Sequence, residues 1–266
     1  MHVHFLDPFR PGVSLVHRMD PRIKLVLTLA FIVLTALVPP GIWPVYIILL
    51  AIIVSVEILS ELGIDYVMKR SLLALPFMLA AFPIIFTAPG PEFASFSIAS
   101  WTISVSMTGL ERFISIALKS WISVQAAIVL AASTPFPDLL LAMRAIRLPR
   151  LIVAILGLMW RYLFVLADEV LRMNRARAAR SGHPDRPQGR TGGSVVWRAR
   201  VTGGMAGSLF LRAFERSDRI YNAMISRGYD GEVRALPLSG LVTTDWLVLI
   251  LGLIFLAAIL VLSLLL

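Results

Sequence analysis

From Leu25 to Val56 the chain carries no charged residue, and near the middle of that run stand Pro39-Pro40-Gly41 and then Pro44. A bilayer crossing needs about 20 mainly apolar residues to match a hydrocarbon core of ~30 Å, and an uncharged run of this length fits that solvent better than a soluble core. Prolines and a glycine at the centre break a helix and turn the chain. The segment therefore reads as a helical hairpin with its tip at the far interface, Pro44 lying in the first turn of the second arm. Each arm is short. Arg22 and Lys24 lengthen the first by reaching back to the interface along their apolar stems. A re-entrant hairpin that stops short of a full crossing is the rival reading.

Other runs repeat the signal. Ser71 to Ala88 forms a third span containing Pro76 and Pro83, Phe113 to Ser133 a fourth interrupted by Lys119, and Trp246 to Leu266 the clearest of all. Kinked helices survive in bilayers when neighbours re-satisfy the freed carbonyls. A mean hydropathy of +0.83 and 58% hydrophobic residues put the whole chain in the same class. The expected fold is an all-α polytopic membrane protein with about five transmembrane helices, followed in part by helices that do not cross. There is no cysteine, so disulfides, thiolate metal sites and cysteine nucleophiles are excluded.

The net charge of +9 sits in one place. Pro135 to Gly240 holds 17 arginines, no lysine and 8 acids, while the rest of the chain holds 8 bases and 8 acids. Positively charged loops stay on the cytoplasmic side, which puts this segment and the amino terminus, with Arg10, Arg18, Arg22 and Lys24, inside. The Pro-Pro-Gly tip and the loop Pro89 to Thr108 then face out, and Glu57 to Arg70 faces in. Five spans, N-terminus in and C-terminus out, satisfy these loops. The chain accordingly divides into an N-terminal membrane region of four spans (1–134), a cytoplasmic or interfacial region (135–240) and a C-terminal transmembrane helix (241–266). Lys119 is read as snorkelled or paired with a helix. The long amino-terminal region with Asp7 and Asp20 does not read as a cleavable signal. The outer loop alternates Phe93, Phe96, Ile98, Trp101, Ile103 and Val105 with polar residues, which permits a short hairpin or an irregular loop.

Three helices are expected in the basic region. Pro135 and Pro137 with Asp138 start the first, Asp138 to Arg147, with Leu139, Leu140, Met143 and Ile146 on one face. The second runs from about Arg150 to Arg180 and turns from apolar to basic; Arg161 and the charge topology make it an interfacial helix, not a span. Gly182 to Gly193 is a Gly/Pro/polar loop. The third, about Val195 to Arg227, ends at Gly228. For Arg172, Arg175, Arg190, Arg198 and Arg200, complementing helix dipoles and meeting anionic lipid is explanation enough. Arg180 and Arg227 differ because each terminates a helix beside a small residue, Ser181 or Gly228, which leaves room for a partner. The planar fork of arginine engages carboxylates or carbonyls bidentately where lysine cannot. Groove-reading or aromatic nucleic-acid elements are absent, so no nucleic-acid partner is expected.

These residues carry a resemblance. Asp20-Pro21-Arg22-Ile23-Lys24, Gly109-Leu110, Thr134-Pro135 followed by Leu139 to Pro149, Trp160-Arg161-Tyr162 running to Ala167-Asp168-Glu169, Ala179-Arg180-Ser181, and Arg212 to Arg216 leading to Ala223 through Tyr229 occur in an order that resembles the transmembrane T component of energy-coupling factor (ECF) transporters, the cobalt-transport branch in particular. That family's signature is a pair of Ala-Arg-Gly-like triplets ending two coupling helices. They fall here on Ala179, Arg180 and Ser181 and on Ser226, Arg227 and Gly228. Ser181 replaces the usual glycine and Ser226 the usual alanine. The resemblance implies a non-catalytic subunit in the cell membrane that passes ATP-driven motion from two ATPase subunits to a membrane S component holding the substrate. The implied cargo is cobalt, another transition-metal ion or a vitamin. It implies no cofactor in this chain, ATP being bound by the partners, and no Gly-x-x-x-x-Gly-Lys-Ser/Thr loop is found. His2, His4, His17 and His183 are too scattered to form a metal set. A stand-alone transporter or a membrane-embedded enzyme is the alternative, although the spans lack midplane ionisable residues, inverted repeats or clustered nucleophiles.

Overall fold

The computed structural model describes residues 8–89, 91–98, 101–180, 194–231 and 240–265. Compactness divides the chain into two units, one built from Pro8–Ile146 with Leu238–Leu266 and the other centred on Arg147–Pro237.

The first unit is a helical bundle. A single turn, α1 (Leu15–Arg18), precedes α2 (Pro21–Leu37), whose start is fixed by Pro21 and by the Asp20 carboxylate accepting from the Arg22 amide at 2.8 Å. The Pro39-Pro40-Gly41 turn follows, with Gly41 at φ 92, a conformation that glycine adopts without strain. It is pinned from two sides: the Tyr46 hydroxyl donates to the Pro39 carbonyl at 2.9 Å, and the Gly41 amide donates to the Ser115 hydroxyl at 3.3 Å. The chain then returns along α3 (Trp43–Leu59), with Pro44 in its first turn. Both arms have 17 residues. At 1.5 Å per residue each is about 25 Å long, a little short of the hydrocarbon core.

The third expected span is broken where the prolines predict. It comprises α4 (Ile64–Ser71), a 3₁₀ turn at Leu72–Ala74, α5 (Leu75–Ala80) and α6 (Ile84–Thr87), with Pro76 opening α5 and Pro83 preceding α6. The alternating outer segment forms an antiparallel hairpin, β1 (Glu92–Ile98) on β2 (Trp101–Ser106), with an irregularity between Glu92 and Ala94. Next comes α7 (Met107–Ser133), 27 residues, two turns longer at its start than hydropathy alone indicated, because Ser106 caps it by accepting from the Gly109 amide at 3.4 Å. The short α8 (Phe136–Ala145) packs on α2, and α11 (Thr243–Leu265) closes the bundle against α2 and α3. Ile64–Thr87, α7 and α11 are each long and apolar enough to cross a membrane.

Phe31 and Leu34 of α2 with Val38 just beyond its end, Val45, Leu49 and Ile53 of α3, Ile122 and Val129 of α7, and Leu256 and Ile259 of α11 make one buried cluster. Small residues allow the tightest approaches, as in other membrane bundles. A Cβ on Gly109 would lie 2.7 Å from the Ile85 carbonyl oxygen and 2.8 Å from that of Ile84; one on Gly252 would lie 2.7 Å from Leu27.

The second unit consists of two 31-residue helices, α9 (Arg150–Arg180) and α10 (Val195–Ile225), the latter capped by Ser194 accepting from the Trp197 amide at 3.3 Å. By length and apolar content α9 also qualifies as a membrane crossing. Its apolar half and its basic half are one continuous helix.

Candidate functional site

The arginine-ended helices are held together by few contacts. Glu169 on α9 accepts from Arg212 on α10 at 3.0 Å and also faces Arg172 at 3.8 Å; eight residues further along α9, Arg177 donates to the Thr202 hydroxyl at 3.4 Å. As the residue number rises along α9 its partner's number falls, so the pair is antiparallel. Between the helices lies a groove of about 640 Å³ with Met173, Trp197 and Met205 in its walls and Arg172, Arg177 and Arg180 along it. Elsewhere both helices present apolar side chains to the outside, Leu151, Ile155 and Met159 on α9 and Phe210, Leu211 and Phe214 on α10. Apolar surface this extensive marks a face that meets a membrane or another protein.

Ala179 and Arg180 occupy the exposed last turn of α9, while Ser181 lies outside the described residues, as does the Gly182 to Gly193 loop. The second triplet has a defined geometry. The Gly228 amide donates to the Ile225 carbonyl at 2.9 Å and the Tyr229 amide to that of Met224 at 3.0 Å, with Gly228 at φ 79. These are the two bonds of a Schellman ending, in which glycine supplies the left-handed residue. The Ser226 hydroxyl adds a bond to the Asn222 carbonyl at 2.7 Å. Arg227 is thus the last residue before the turn, exposed, with its backbone locked on both sides. The two arginines are not brought together. Arg180 shares the groove with Trp197 and Val201, and from Val201 to Arg227 the axis of α10 runs about 40 Å at 1.5 Å per residue.

In the membrane unit, Lys119 is helix-paired: its ammonium donates to the Ala36 carbonyl in the last turn of α2 at 3.1 Å. Lys24 departs from the snorkelling expected of it. It is only 7% exposed and donates to the Ser133 carbonyl at 3.1 Å, so it is spent on the bundle and not on reaching the interface. Sequence reasoning missed three further features. Glu57 and Gln125 are each 1% exposed, and in each the Oε1 atom has no hydrogen-bond partner in the structure. The Arg10 guanidinium stacks 3.6 Å from the Tyr66 ring centroid, that of Arg70 lies 4.6 Å from it, and the Tyr66 hydroxyl donates to the Pro8 carbonyl at 3.2 Å. The amino-terminal segment is thereby strapped across the end of α7, where the Arg10 amide reaches the Ala132 carbonyl at 2.9 Å. The signal for that strap, a lone tyrosine among basic residues, is visible only once α4 and the amino terminus are seen side by side.

A bundle of apolar, proline-kinked helices, together with a pair of long arginine-ended helices, defines a polytopic all-α membrane protein. Comparison with known families gives that class a name: the family model described as cobalt transport protein, CbiQ, matches residues 12–237, and the chain belongs to this family of transporter membrane components. Among similar proteins, the cobalt transport protein CbiQ of Rhodobacter capsulatus is 29% identical over 213 residues, covering 80% of each chain. The CbiQ of Salmonella typhimurium is 25% identical over 225 residues, 80% of this chain and 91% of the relative. The energy-coupling factor transporter transmembrane protein EcfT of Lactococcus lactis is 28% identical over 236 residues, 83% of this chain and 82% of the relative.

Proposed function

We propose that this chain is the coupling subunit of an ECF-type importer, taking ATP-driven motion from two ATPase subunits through α9 and α10 and passing it to a substrate-binding S component in the membrane. The separation of Arg180 and Arg227 supports this reading above all. Two exposed arginines, one ending α9 beside the start of α10 and the other about 40 Å further along the axis of α10, suit two sockets on two separate partners and not one catalytic cleft. Arginine at a helix end can donate to a carboxylate or carbonyl of a docking subunit while the free helix carbonyls keep a cation favourable there. The apolar faces of the same helices offer the opposite side to the S component. The amino terminus and α9–α10 are cytoplasmic in this reading, and cobalt, another transition-metal ion or a vitamin is the cargo, held by the S component.

Co-purification tests it. Affinity-tagged chain drawn gently from its native membrane should bring two copies or two kinds of ATP-hydrolysing subunit and one small membrane protein. Chain that alone, in vesicles, moves substrate without ATP would instead establish a stand-alone transporter.

A further inference from the structure

The membrane unit contains a crevice of about 330 Å³ between α1, α2, α3, α7 and α11. Its walls are almost wholly apolar, Leu27 and Phe31 on α2, Ile52 and Val56 on α3, Val129 on α7 and Phe255 on α11. Water in such a space finds no hydrogen-bond partners, and an empty space forfeits the dispersion contacts of its lining. An apolar occupant would restore those contacts.

Apart from Thr28, polarity enters at one end. There Lys24 and Ser133 line the crevice beside Leu15, Val16 and Met19. The Lys24 ammonium uses one donor on the Ser133 carbonyl, which leaves two. Arg18, exposed in the last turn of α1, and Arg10, exposed and tied to α1 by its carbonyl's 3.0 Å bond with the His17 ring, belong to the same end of the bundle. Asp20 and Asp138 are the acids that act on Lys24, and Asp20 already serves the α2 cap and faces Arg22 at 3.9 Å. Counting Arg10, Arg18, Arg22 and Lys24 against these two acids, the mouth keeps a positive balance.

We propose that this crevice is a binding site for an anionic phospholipid of the leaflet on the amino-terminal side, with one acyl chain between α2, α3 and α7 and the headgroup phosphate at Lys24 and Arg18. An acyl chain gains little by leaving other lipid tails for a protein wall, since both are apolar. Selectivity therefore comes from the headgroup, where each basic residue near an anionic surface favours binding severalfold. Bound lipid would stiffen the junction of α1 with the ends of α3 and α7 while the bundle stays otherwise unchanged.

Native mass spectrometry of the full chain, purified in mild detergent and offered equal phosphatidylglycerol and phosphatidylcholine, reads this directly. One phosphatidylglycerol per chain is expected, preferred about tenfold over phosphatidylcholine. Thr28→Trp, which fills the crevice, should cut its retention by about tenfold, and Arg18→Gln should lower the preference to about twofold. Circular dichroism and a monodisperse elution profile establish that each variant is folded; should Thr28→Trp not fold, Ile52→Phe on α3 takes its place. Equal retention of the two lipids by the wild-type chain, retention of none, or unchanged retention by a folded crevice-filling variant would each overturn the proposal.

Discussion

Lys24, in the first turn of α2, donates its ammonium to the carbonyl of Ser133, the last residue of α7, at 3.1 Å. The relationship is returned at the other end of the same pair, where Lys119 of α7 donates to the Ala36 carbonyl in the last turn of α2 at 3.1 Å. Each helix thus supplies a cation to the carboxyl end of the other. That arrangement satisfies orphan carbonyls that would otherwise lie in an apolar medium and places positive charge at the negative pole of each dipole. It also explains how two lysines come to be tolerated in a bundle this apolar.

The two bonds differ in burial, and their loss should differ in proportion. Lys24→Met leaves a buried carbonyl without its charged donor and should destabilise the chain by about 1.5 to 3 kcal/mol. Lys119→Met, at a more exposed bond, should cost about 0.3 to 1 kcal/mol. Thermal unfolding in detergent gives the order. If Lys119→Met proved the more damaging, the reciprocal-cap account would be wrong.

Glycines separate close packing from open helix surface. Gly109→Ala drives a methyl into the Ile84 and Ile85 carbonyls of α6 and should cost about 1 to 3 kcal/mol. Gly203→Ala meets nothing within 4 Å on α10 and should stabilise that helix by up to about 1 kcal/mol. Unfolding midpoints that move the same way for both would sink this assignment of close contacts.

Much of this architecture was legible in the residues because its signals are local. Asp20-Pro21 starts α2, the Pro-Pro-Gly tip turns the hairpin, Pro76 and Pro83 fragment the third span, and Gly228 ends α10 in the left-handed conformation that glycine favours. What stayed hidden depends on partners distant in sequence. Lys24 finds Ser133 across 109 residues and Tyr66 finds Pro8 across 58, and no periodicity encodes either pairing. The burial of Glu57 and Gln125 shows only once the bundle encloses them. The long first half of α9 illustrates a different limit: composition grants it the length and apolarity of a span, and only charge topology argues for the interface.

Orientation is open to a clean experiment because the chain has no native cysteine. Single cysteines at Pro40, in the hairpin turn, and at Gly63, between α3 and α4, should react with impermeant maleimide from opposite sides of the membrane, Pro40 from outside intact cells and Gly63 only after permeabilisation. Labelling of Gly63 in intact cells would reverse the topology and remove α9 and α10 from the reach of any cytoplasmic ATPase.

If Arg180 and Arg227 each enter a socket on a partner, their loss should be specific. Arg180→Ala and Arg227→Ala should each weaken ATPase attachment by about 2 to 5 kcal/mol, the cost of truncating one partner of a buried charged pair, while leaving the melting behaviour of the membrane unit unchanged. Arg175→Ala, on an exposed stretch of the same helix, should do far less. Equal losses at all three positions would mean that general basicity, and not two defined contacts, recruits the partners.

Transmission can be tested apart from assembly. The Glu169–Arg212 bond at 3.0 Å ties α9 to α10, and α9 runs on without interruption for about three further turns to Arg180. A Gly-Gly insertion after Arg172 falls between that tie and the Arg177–Thr202 bond, costs about 1 kcal/mol of helix stability per glycine, and rotates and loosens everything beyond it, that second bond included, while the Arg180 triplet keeps its chemistry. The expected outcome is a complex that still assembles and still hydrolyses ATP but no longer takes up substrate, because motion entering at Arg180 is lost in the softened turn before it reaches the Glu169–Arg212 tie. Paired measurements of ATPase rate and uptake in reconstituted vesicles decide the matter. Uptake at the wild-type rate with the insertion in place would show that α9 does not act as a lever, and that the subunit holds its partners together without conveying their motion.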